Sequence, residues 1–231
     1  MLVALGLMAG LITTLAGMGG GTLLVLALAL LEDPVTALAV STPALLLGNL
    51  HRVLLYRHAI VWPEAWRMAG GGIAGAVGGG LLVRGLPEAF ISTLMLLVVA
   101  MALAQHFGLK LRPPRNATLP VAAVCGVISA TAGGAGTIAG PYLLSRGLTG
   151  VPYVATGAVT AASIHIGKLS AYASTGVATW ETLTRGLLLA ALIAAGNVLG
   201  ERLRRRVGAH RQRRLQLGVM VACAGMALAG L

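Results

Sequence analysis

The sequence has few acidic, aromatic and charged residues. Of its 231 residues only 6 are Asp or Glu and 2 are Phe, and charged residues make up 10% of the chain. Soluble domains carry about 25% charged residues, so this composition excludes an ordinary globular protein. All six acids lie at or near the ends of apolar stretches. A carboxylate proton relay or cation site in the middle of a membrane therefore has no candidate residue.

Catalytic and metal-binding motifs are lacking as well. The two cysteines, Cys125 and Cys223, lie in apolar runs without metal or redox spacing and are expected to be small buried hydrophobes. The chain has no phosphate-binding loop ending in Gly-Lys-Ser/Thr, no Gly-x-Ser-x-Gly and no His-Glu-x-x-His. We therefore expect no ATP hydrolysis, no metal or other cofactor and no enzyme. An intramembrane enzyme would have to pair Ser129 or Ser163 with His165 without any supporting motif.

Apolar residues and glycine are abundant. Hydrophobic residues make up 57% of the chain, glycine occurs 33 times, and the mean hydropathy is +0.88. Glycine is more frequent in membrane helices than in soluble ones, so we expect an all-α polytopic membrane protein. The net charge of +11 comes from bases between the apolar stretches, where membrane proteins keep cytoplasmic anchors, and nucleic acid is not an expected partner. The first residues lack the basic segment of a cleaved signal peptide.

Ten apolar stretches follow one another along the chain. They cover residues 2–17, 22–31, 35–56, 64–85, 88–107, 119–131, 137–145, 153–173, 182–200 and 215–231. Six of them have the length of roughly 17–20 residues that a membrane span needs, namely 35–56, 64–85, 88–107, 153–173, 182–200 and 215–231. The other four are short and form two pairs, each interrupted by a glycine cluster, at 16–21 and at 132–136.

The two broken pairs belong to an internal repeat. At an offset of 116 residues the matched pairs are Thr13 and Ser129, Ala16 and Ala132, Gly17 and Gly133, and Gly20 and Gly136. At an offset of 118 they are Pro34 and Pro152, Thr42 and Thr160, Trp62 and Trp180, and Arg67 and Arg185. These matches predict two homologous halves, 1–107 and 119–231, joined by a basic linker at 108–118.

Two topologies fit this repeat. If each broken pair were one long helix, the Lys and Arg residues other than the mid-span Lys168 would divide 9 to 7 between the two faces, which is almost no bias. If each broken pair is a hairpin (2–31 and 119–145) followed by three spans, 14 bases gather on one face and 2 on the other. The positive-inside rule therefore favours inverted repeats with both termini on the non-cytoplasmic side. The arginine cluster at 202–214 is then a cytoplasmic loop that attracts anionic lipid headgroups.

The glycine breaks are candidate binding sites for an anion. Glycine lets backbone approach a ligand closely, and the N–H groups that open the following half-helix lack an intrahelical partner. In inverted repeats such breaks meet near the bilayer midplane. The candidate residues are Gly17, Gly19, Gly20 and Gly21 in the first break and Gly133, Gly134, Gly136 and Thr137 in the second. Close helix packing is the alternative, and we favour it for the pairs Gly75/Gly79 and Gly196/Gly200.

Cations inside the spans are the second signal. Lys168 lies well inside the stretch 153–173, one turn after His165, and Asn49 and Arg52 have the same spacing in 35–56. A buried cation without an acidic partner favours an anionic ligand, and the alternative for Arg52 is that its side chain extends to the cytoplasmic interface. His165 is either a proton carrier or an interhelical hydrogen-bonding group. The matched Thr42 and Thr160 either line the cavity or bond back to their own helix.

Three sequence segments resemble those of one family of bacterial membrane transporters. They are the glycine-rich start at 9–21, the Ala-Val-Ser-Thr at 39–42 and the basic stretch from His51 to Trp62. Together with the repeat they make the chain similar to the TauE/SafE sulfite-exporter family over nearly its whole length. The resemblance implies a secondary transporter of sulfite, thiosulfate or organosulfonates in the bacterial inner membrane, in the export direction. An anion channel is the main alternative, and the sequence leaves a homodimer open.

Overall fold

The computed structural model describes residues 2–16, 19–109, 114, 116–204 and 209–229. Over these ranges the chain is all-helical and contains no strand. A short 3₁₀ turn lies at Arg57–Ala59, and the ten α-helices are α1 (Leu2–Ala16), α2 (Gly20–Ala29), α3 (Pro34–Leu55), α4 (Trp62–Val83), α5 (Glu88–His106), α6 (Thr118–Ala132), α7 (Gly136–Ser145), α8 (Gly150–Thr175), α9 (Trp180–Arg204) and α10 (Ala209–Ala229). The predicted all-α class is confirmed.

Local chemistry explains where these helices begin. Gly19, which precedes α2, has φ of 96°, and Gly133 and Gly134, which precede α7, have φ of 73° and 75°. A residue with a Cβ is strained there, so the glycine clusters break the helices at the predicted places. At α3 the Asp33 carboxylate accepts a hydrogen bond of 2.8 Å from the Thr36 N–H. Partial burial would raise the pKa of Asp33, but the hydrogen bonds to Thr36 outweigh it and hold that pKa below its ordinary value.

One prediction about the connections needs correction. The sequence predicts a loop over the arginine cluster at 202–214, whereas α9 continues to Arg204 and α10 already begins at Ala209. Arginine is a good helix former, so a run of arginines extends helices rather than ending them. The remaining residues of the cluster, 205–208, lie outside the described part of the chain.

Three described helices combine the length and apolar composition that a membrane crossing needs: α3, α5 and α9. The sequence predicts six such spans. With 22 and 26 residues, α4 and α8 also have the length, but their glycine, hydroxyl and charged residues lower their hydropathy. In α10 the apolar part among the described residues is Leu217–Ala229. Three of the six predicted spans therefore meet both conditions, and the other three are helices at the predicted places.

The two halves of the chain are interleaved. In the first half α1 packs on α9, and its counterpart in the second half, α6, packs on α4. The long helices α3 and α8 contact each other, α3 also packs on α9, and α8 packs on α4. Exchanging each first-half helix for its second-half counterpart leaves this set of contacts unchanged. The packing therefore follows the internal repeat of the sequence.

Glycines let the two interleaved pairs approach closely. A Cβ on Gly75 of α4 would lie 1.9 Å from the carbonyl oxygen of Ala123 on α6. In the other pair, a Cβ on Gly196 of α9 would lie 2.3 Å from the carbonyl oxygen of Leu7 on α1. Neither distance is compatible with a side chain, so these glycines serve backbone-to-backbone packing. This agrees with the packing role that the sequence favours for Gly75 and Gly196.

The long central helices α3 and α8 run in opposite directions. Tyr56, which follows α3, belongs to one apolar cluster with Val154 at the beginning of α8. At the other end, Leu38 near the beginning of α3 and Tyr172 near the end of α8 share a second cluster. By contrast, α8 runs parallel to α4, because Gly72 faces Ile164 while Gly80 faces Ala171 and Tyr172.

The first broken segment folds back on itself. A Cβ on Gly20 would lie 2.0 Å from the hydroxyl oxygen of Thr13 and 2.2 Å from the carbonyl oxygen of Ala9. The beginning of α2 is therefore pressed against the last turns of α1. The other end of α2 leads through Glu32 to α3. Both helices of the segment thus meet at the glycine break, as the hairpin interpretation predicts.

Candidate functional site

A cavity of about 150 Å³ lies where the two glycine breaks meet. The first break contributes Gly19 and Gly21, and the second contributes Gly133, Gly134, Gly136 and Thr137. The central helices α3 and α8 contribute Asn49, Arg52, Thr160, His165 and Lys168, while α5 and α10 supply an apolar wall. The structure therefore brings eleven of the fourteen candidate residues together around one space.

The cavity contains two buried cations and no acid. Arg52 is 6% exposed and Lys168 is 1% exposed. The acids that form ion pairs in the described part of the chain lie elsewhere, since Glu32 and Glu181 contact Arg185, Glu64 contacts Arg146, and Glu201 contacts Arg204. The cavity therefore carries an uncompensated positive charge, which is costly in a low-dielectric interior.

Arg52 is fixed within the cavity wall. One of its terminal nitrogens donates to the Asn49 side-chain oxygen, and the other lies 3.5 Å from the backbone oxygen of Thr13 on α1. Asn49 in turn donates to the Leu45 carbonyl oxygen at 2.6 Å, which orients its amide. Of the two interpretations open for Arg52, the geometry favours the cavity, because the side chain turns toward α1 and is buried.

Lys168 and His165 face the cavity one helical turn apart on α8. The Lys168 ammonium lies 5.6 Å from the centroid of the Tyr172 ring, a cation–π contact. Tyr172 is itself anchored, because its hydroxyl donates to the Ala130 carbonyl oxygen of α6. The Nδ1 atom of His165 is buried and has no hydrogen-bond partner among the described residues. The Lys168 ammonium and the His165 ring therefore have hydrogen-bonding capacity left for a guest in the cavity.

Three of the threonine hydroxyls around the cavity donate to backbone oxygens of their own segment. Thr13 donates to the Ala9 carbonyl oxygen at 2.6 Å, Thr137 to that of Gly134 at 2.8 Å and Thr160 to that of Thr156 at 3.0 Å. The hydrogens of these hydroxyls are therefore engaged. Thr160 satisfies both interpretations offered for it, since it lines the cavity and bonds back to its helix.

Two helix N-termini reach the cavity. In α7 the Thr137 N–H bonds to the Gly134 carbonyl oxygen at 2.9 Å. In α2 the Leu23 N–H bonds to the Gly19 carbonyl oxygen at 2.9 Å, and Gly21 and Thr22 of its first turn line the cavity. The positive end of a helix dipole therefore lies beside the cavity at both breaks.

Three candidate residues are not placed on the cavity. Gly20 faces α1 instead, because a Cβ on it would lie 2.0 Å from the hydroxyl oxygen of Thr13. Thr42 is fully buried in the helix packing, and its hydroxyl donates to the Leu38 carbonyl oxygen at 2.6 Å. For Thr42 the back-bonding alternative thus describes the geometry. Gly17 lies outside the described residues.

The cavity also has lining residues that sequence reasoning does not single out. Thr13 and Ser129 both line it. The sequence does indicate this pair, because the two residues are matched at the 116-residue offset of the internal repeat. Tyr153 from α8 and Cys223 from α10 line it as well, without any pattern in the sequence that marks them. Cys223 is buried, as expected, although it contacts the cavity rather than lying in a uniform core.

Comparison with known proteins identifies the family. Neither the curated proteins nor the solved structures compared with the chain gave a match. Among protein families, residues 2–228 match the family described as Sulfite exporter TauE/SafE. That match covers both halves, both glycine breaks and all the helices around the cavity. The chain belongs to the TauE/SafE family, a family of membrane transporters named for sulfite export.

Proposed function

We propose that the protein is a secondary transporter that exports a small sulfur-containing anion, such as sulfite, thiosulfate or an organosulfonate, across the bacterial inner membrane. The observation that carries this proposal is the pair of buried cations, Arg52 and Lys168, around a cavity without an acidic residue. An anion that enters the cavity neutralises charge that is otherwise costly to bury. The family match supplies the substrate class.

The proposed binding site consists of the cations, His165 and the N-terminus of α2. Lys168 and Arg52 provide charge-assisted contacts, which are shorter and stronger than neutral hydrogen bonds. The N–H groups of Gly21 and Thr22, which line the cavity, add backbone donors at the positive end of α2. From the second hairpin, Gly133, Gly134 and Gly136 provide a surface without side chains, so that the anion can approach the backbone closely.

The proposed architecture is an inverted repeat of the halves 1–107 and 119–231, with the linker 108–118 between them. Two observations support it. The contacts α1–α9, α3–α9 and α3–α8 become α6–α4, α8–α4 and α8–α3 when each helix is exchanged for its counterpart, and the counterparts α3 and α8 run antiparallel. The distribution of basic residues then favours non-cytoplasmic termini.

Two ion pairs support transport by alternating access. Glu32, between α2 and α3, pairs with Arg185 near the beginning of α9. Arg146, after α7, lies 3.4 Å from Glu64 near the beginning of α4. Each pair therefore joins the hairpin exit of one half to the second of the three long helices of the other half. Because α3 and α8 run antiparallel, the two pairs lie at opposite ends of the bundle. Opening the cavity toward one end thus requires separation of one pair while the other holds.

Sealed vesicles containing the purified protein test this function. We expect saturable uptake of radiolabelled sulfite or thiosulfate, and Lys168→Met should reduce kcat/KM by about tenfold or more, the loss of one charged contact. Arg67→Gln is the matched control, because Arg67 is an exposed base of α4 that does not line the cavity. Unchanged KM and rate in Lys168→Met contradict the assigned site. Ohmic conductance without saturation identifies an anion channel instead.

A further inference from the structure

We infer that the cavity selects doubly charged anions over singly charged anions of the same shape. This inference rests on the proposed function, because it concerns the substrate class of the same site. It follows from the number of charged side chains that line the cavity, and it applies to any sulfur anion that the cavity binds.

The charge of the cavity follows from the sequence together with the structure. Arg52 and Lys168 are the two Lys or Arg residues among the described lining residues, and each is more than nine-tenths buried. All six acidic residues of the chain fall within the described ranges, and none of them lines the cavity. No carboxylate is therefore available to neutralise either cation from within the protein.

A buried ion pair is favourable only when both partners are satisfied. A singly charged guest neutralises one cation and leaves the other buried without a counter-charge, which is the costly arrangement. A doubly charged guest neutralises both. The cations also come from two different helices, α3 and α8, so a guest between them can use different oxygen atoms for each. The protein therefore gains more from the second negative charge than from additional apolar contact.

The remaining polar atoms of the cavity also suit a deprotonated oxyanion. His165 lines the cavity, and its buried Nδ1, which lacks a partner among the described residues, can donate a hydrogen bond in one tautomer. Gly21 and Thr22, in the first turn of α2, line the cavity and carry backbone N–H donors as well. An oxyanion presents an acceptor oxygen at every position, so it pairs with the largest number of these donors. Its methyl analogue has one oxygen fewer. A methyl group at that position would leave a buried donor unpaired.

The test compares anion pairs that differ by one charge and little in shape. The pairs are sulfite and methanesulfinate, sulfate and methanesulfonate, and sulfoacetate and isethionate. Binding to the purified full-length protein is measured by calorimetry and by thermal shift in a gluconate buffer at neutral pH, where sulfate and sulfoacetate carry two negative charges. We expect at least one dianion to bind, and its singly charged partner to bind about 10- to 100-fold more weakly, the loss of one charge-assisted interaction.

Variants of Lys168 test the same inference by changing the protein instead of the ligand. Lys168→Met leaves one cation, so the preference for the dianion within a pair should fall to about threefold or less. Lys168→Arg keeps the charge and should keep the preference, and Arg67→Gln should not change it. If Lys168→Met does not fold, the ligand pairs are compared on the native protein and on Lys168→Arg. That comparison alone shows whether the cavity prefers dianions.

The outcomes separate the inference from the proposed function. If a monoanion and its dianionic partner bind equally well, the inference is wrong while the transport of sulfur anions stands. If Lys168→Met keeps the full dianion preference, the charge count does not determine selectivity and the inference is again wrong. If none of the six anions binds to the folded protein, the proposed function itself is contradicted, and the inference fails with it.

Discussion

Removing the charge of Lys168 should stabilise the empty protein while it weakens anion binding. Lys168 is 1% exposed, and no carboxylate contacts it among the described residues. Lys168→Met keeps a flexible side chain of similar length and replaces the ammonium with an apolar group. Replacing a residue that stabilises the fold lowers the free energy of unfolding. Replacing a residue that is kept for ligand binding often raises it.

The size of this effect follows from the surroundings of the ammonium. A charged lysine at the centre of a membrane helix costs about 2.5–3.5 kcal/mol. The Tyr172 ring, 5.6 Å from Nζ to its centroid, offsets about 0.5–2 kcal/mol of this cost. The net gain on substitution is then about 0.5–3 kcal/mol. For a chain of this size that corresponds to a rise in Tm of about 1–12 °C.

Thermal unfolding of the detergent-purified protein provides the assay. In an anion-poor gluconate buffer, Lys168→Met should unfold at a higher temperature than the native protein. Addition of sulfite should raise the Tm of the native protein by mass action, and at the same concentration it should raise that of the variant less. Arg67→Gln, on the exposed side of α4, should change the unfolding free energy by less than about 0.5 kcal/mol. A clear decrease in Tm for Lys168→Met, with the control unchanged, would refute the reasoning.

Three further predictions concern the frame of the cavity. Gly75→Ala should destabilise the protein by about 1–3 kcal/mol, because its Cβ would lie 1.9 Å from a carbonyl oxygen of α6. Gly78→Ala on the same helix meets nothing within 4 Å and should be neutral or slightly stabilising in the same thermal assay, and equal effects would count against the packing argument. Asp33→Ala should lose about 1 kcal/mol of stability at neutral pH. Since the pKa of Asp33 is lowered in the folded state, its contribution is present above its ordinary value of 3.8 and is lost as the pH falls through the lower folded value. The difference between native and variant unfolding should therefore vanish in acid, and a constant difference would contradict the capping role. Glu64→Gln should weaken the ion pair at one end of the bundle and increase the labelling rate of the cavity residue Cys223 by a small thiol reagent, by about tenfold for 1.4 kcal/mol, and an unchanged rate would show that the pair does not hold the cavity closed.

Most helix positions could be predicted because their signals are local. The glycine clusters require backbone conformations with positive φ, and Asp33 followed by proline marks the beginning of α3. The arginine cluster was less predictable, because charge identifies a cytoplasmic segment but does not end a helix. Helix α9 accordingly extends to Arg204, beyond the apolar stretch at 182–200.

The candidate site was predictable where a residue type is rare. Lys168 and Arg52 stand out because cations inside apolar stretches are costly. Which glycine faces the cavity was not predictable, since Gly20 and Gly21 differ only in their position around α2. The apolar wall was also hidden, because a residue such as Cys223 looks the same in sequence whether it faces lipid or a cavity.

The location of a bound anion tests the central claim most directly. Crystals of the protein soaked with selenate, measured at the selenium absorption edge, should show an anomalous peak within the cavity. We predict that this peak lies within hydrogen-bond distance of Lys168 Nζ and of the N–H groups that open α2. A cavity that remains without a peak at saturating selenate, while peaks occur elsewhere on the protein, would contradict the account.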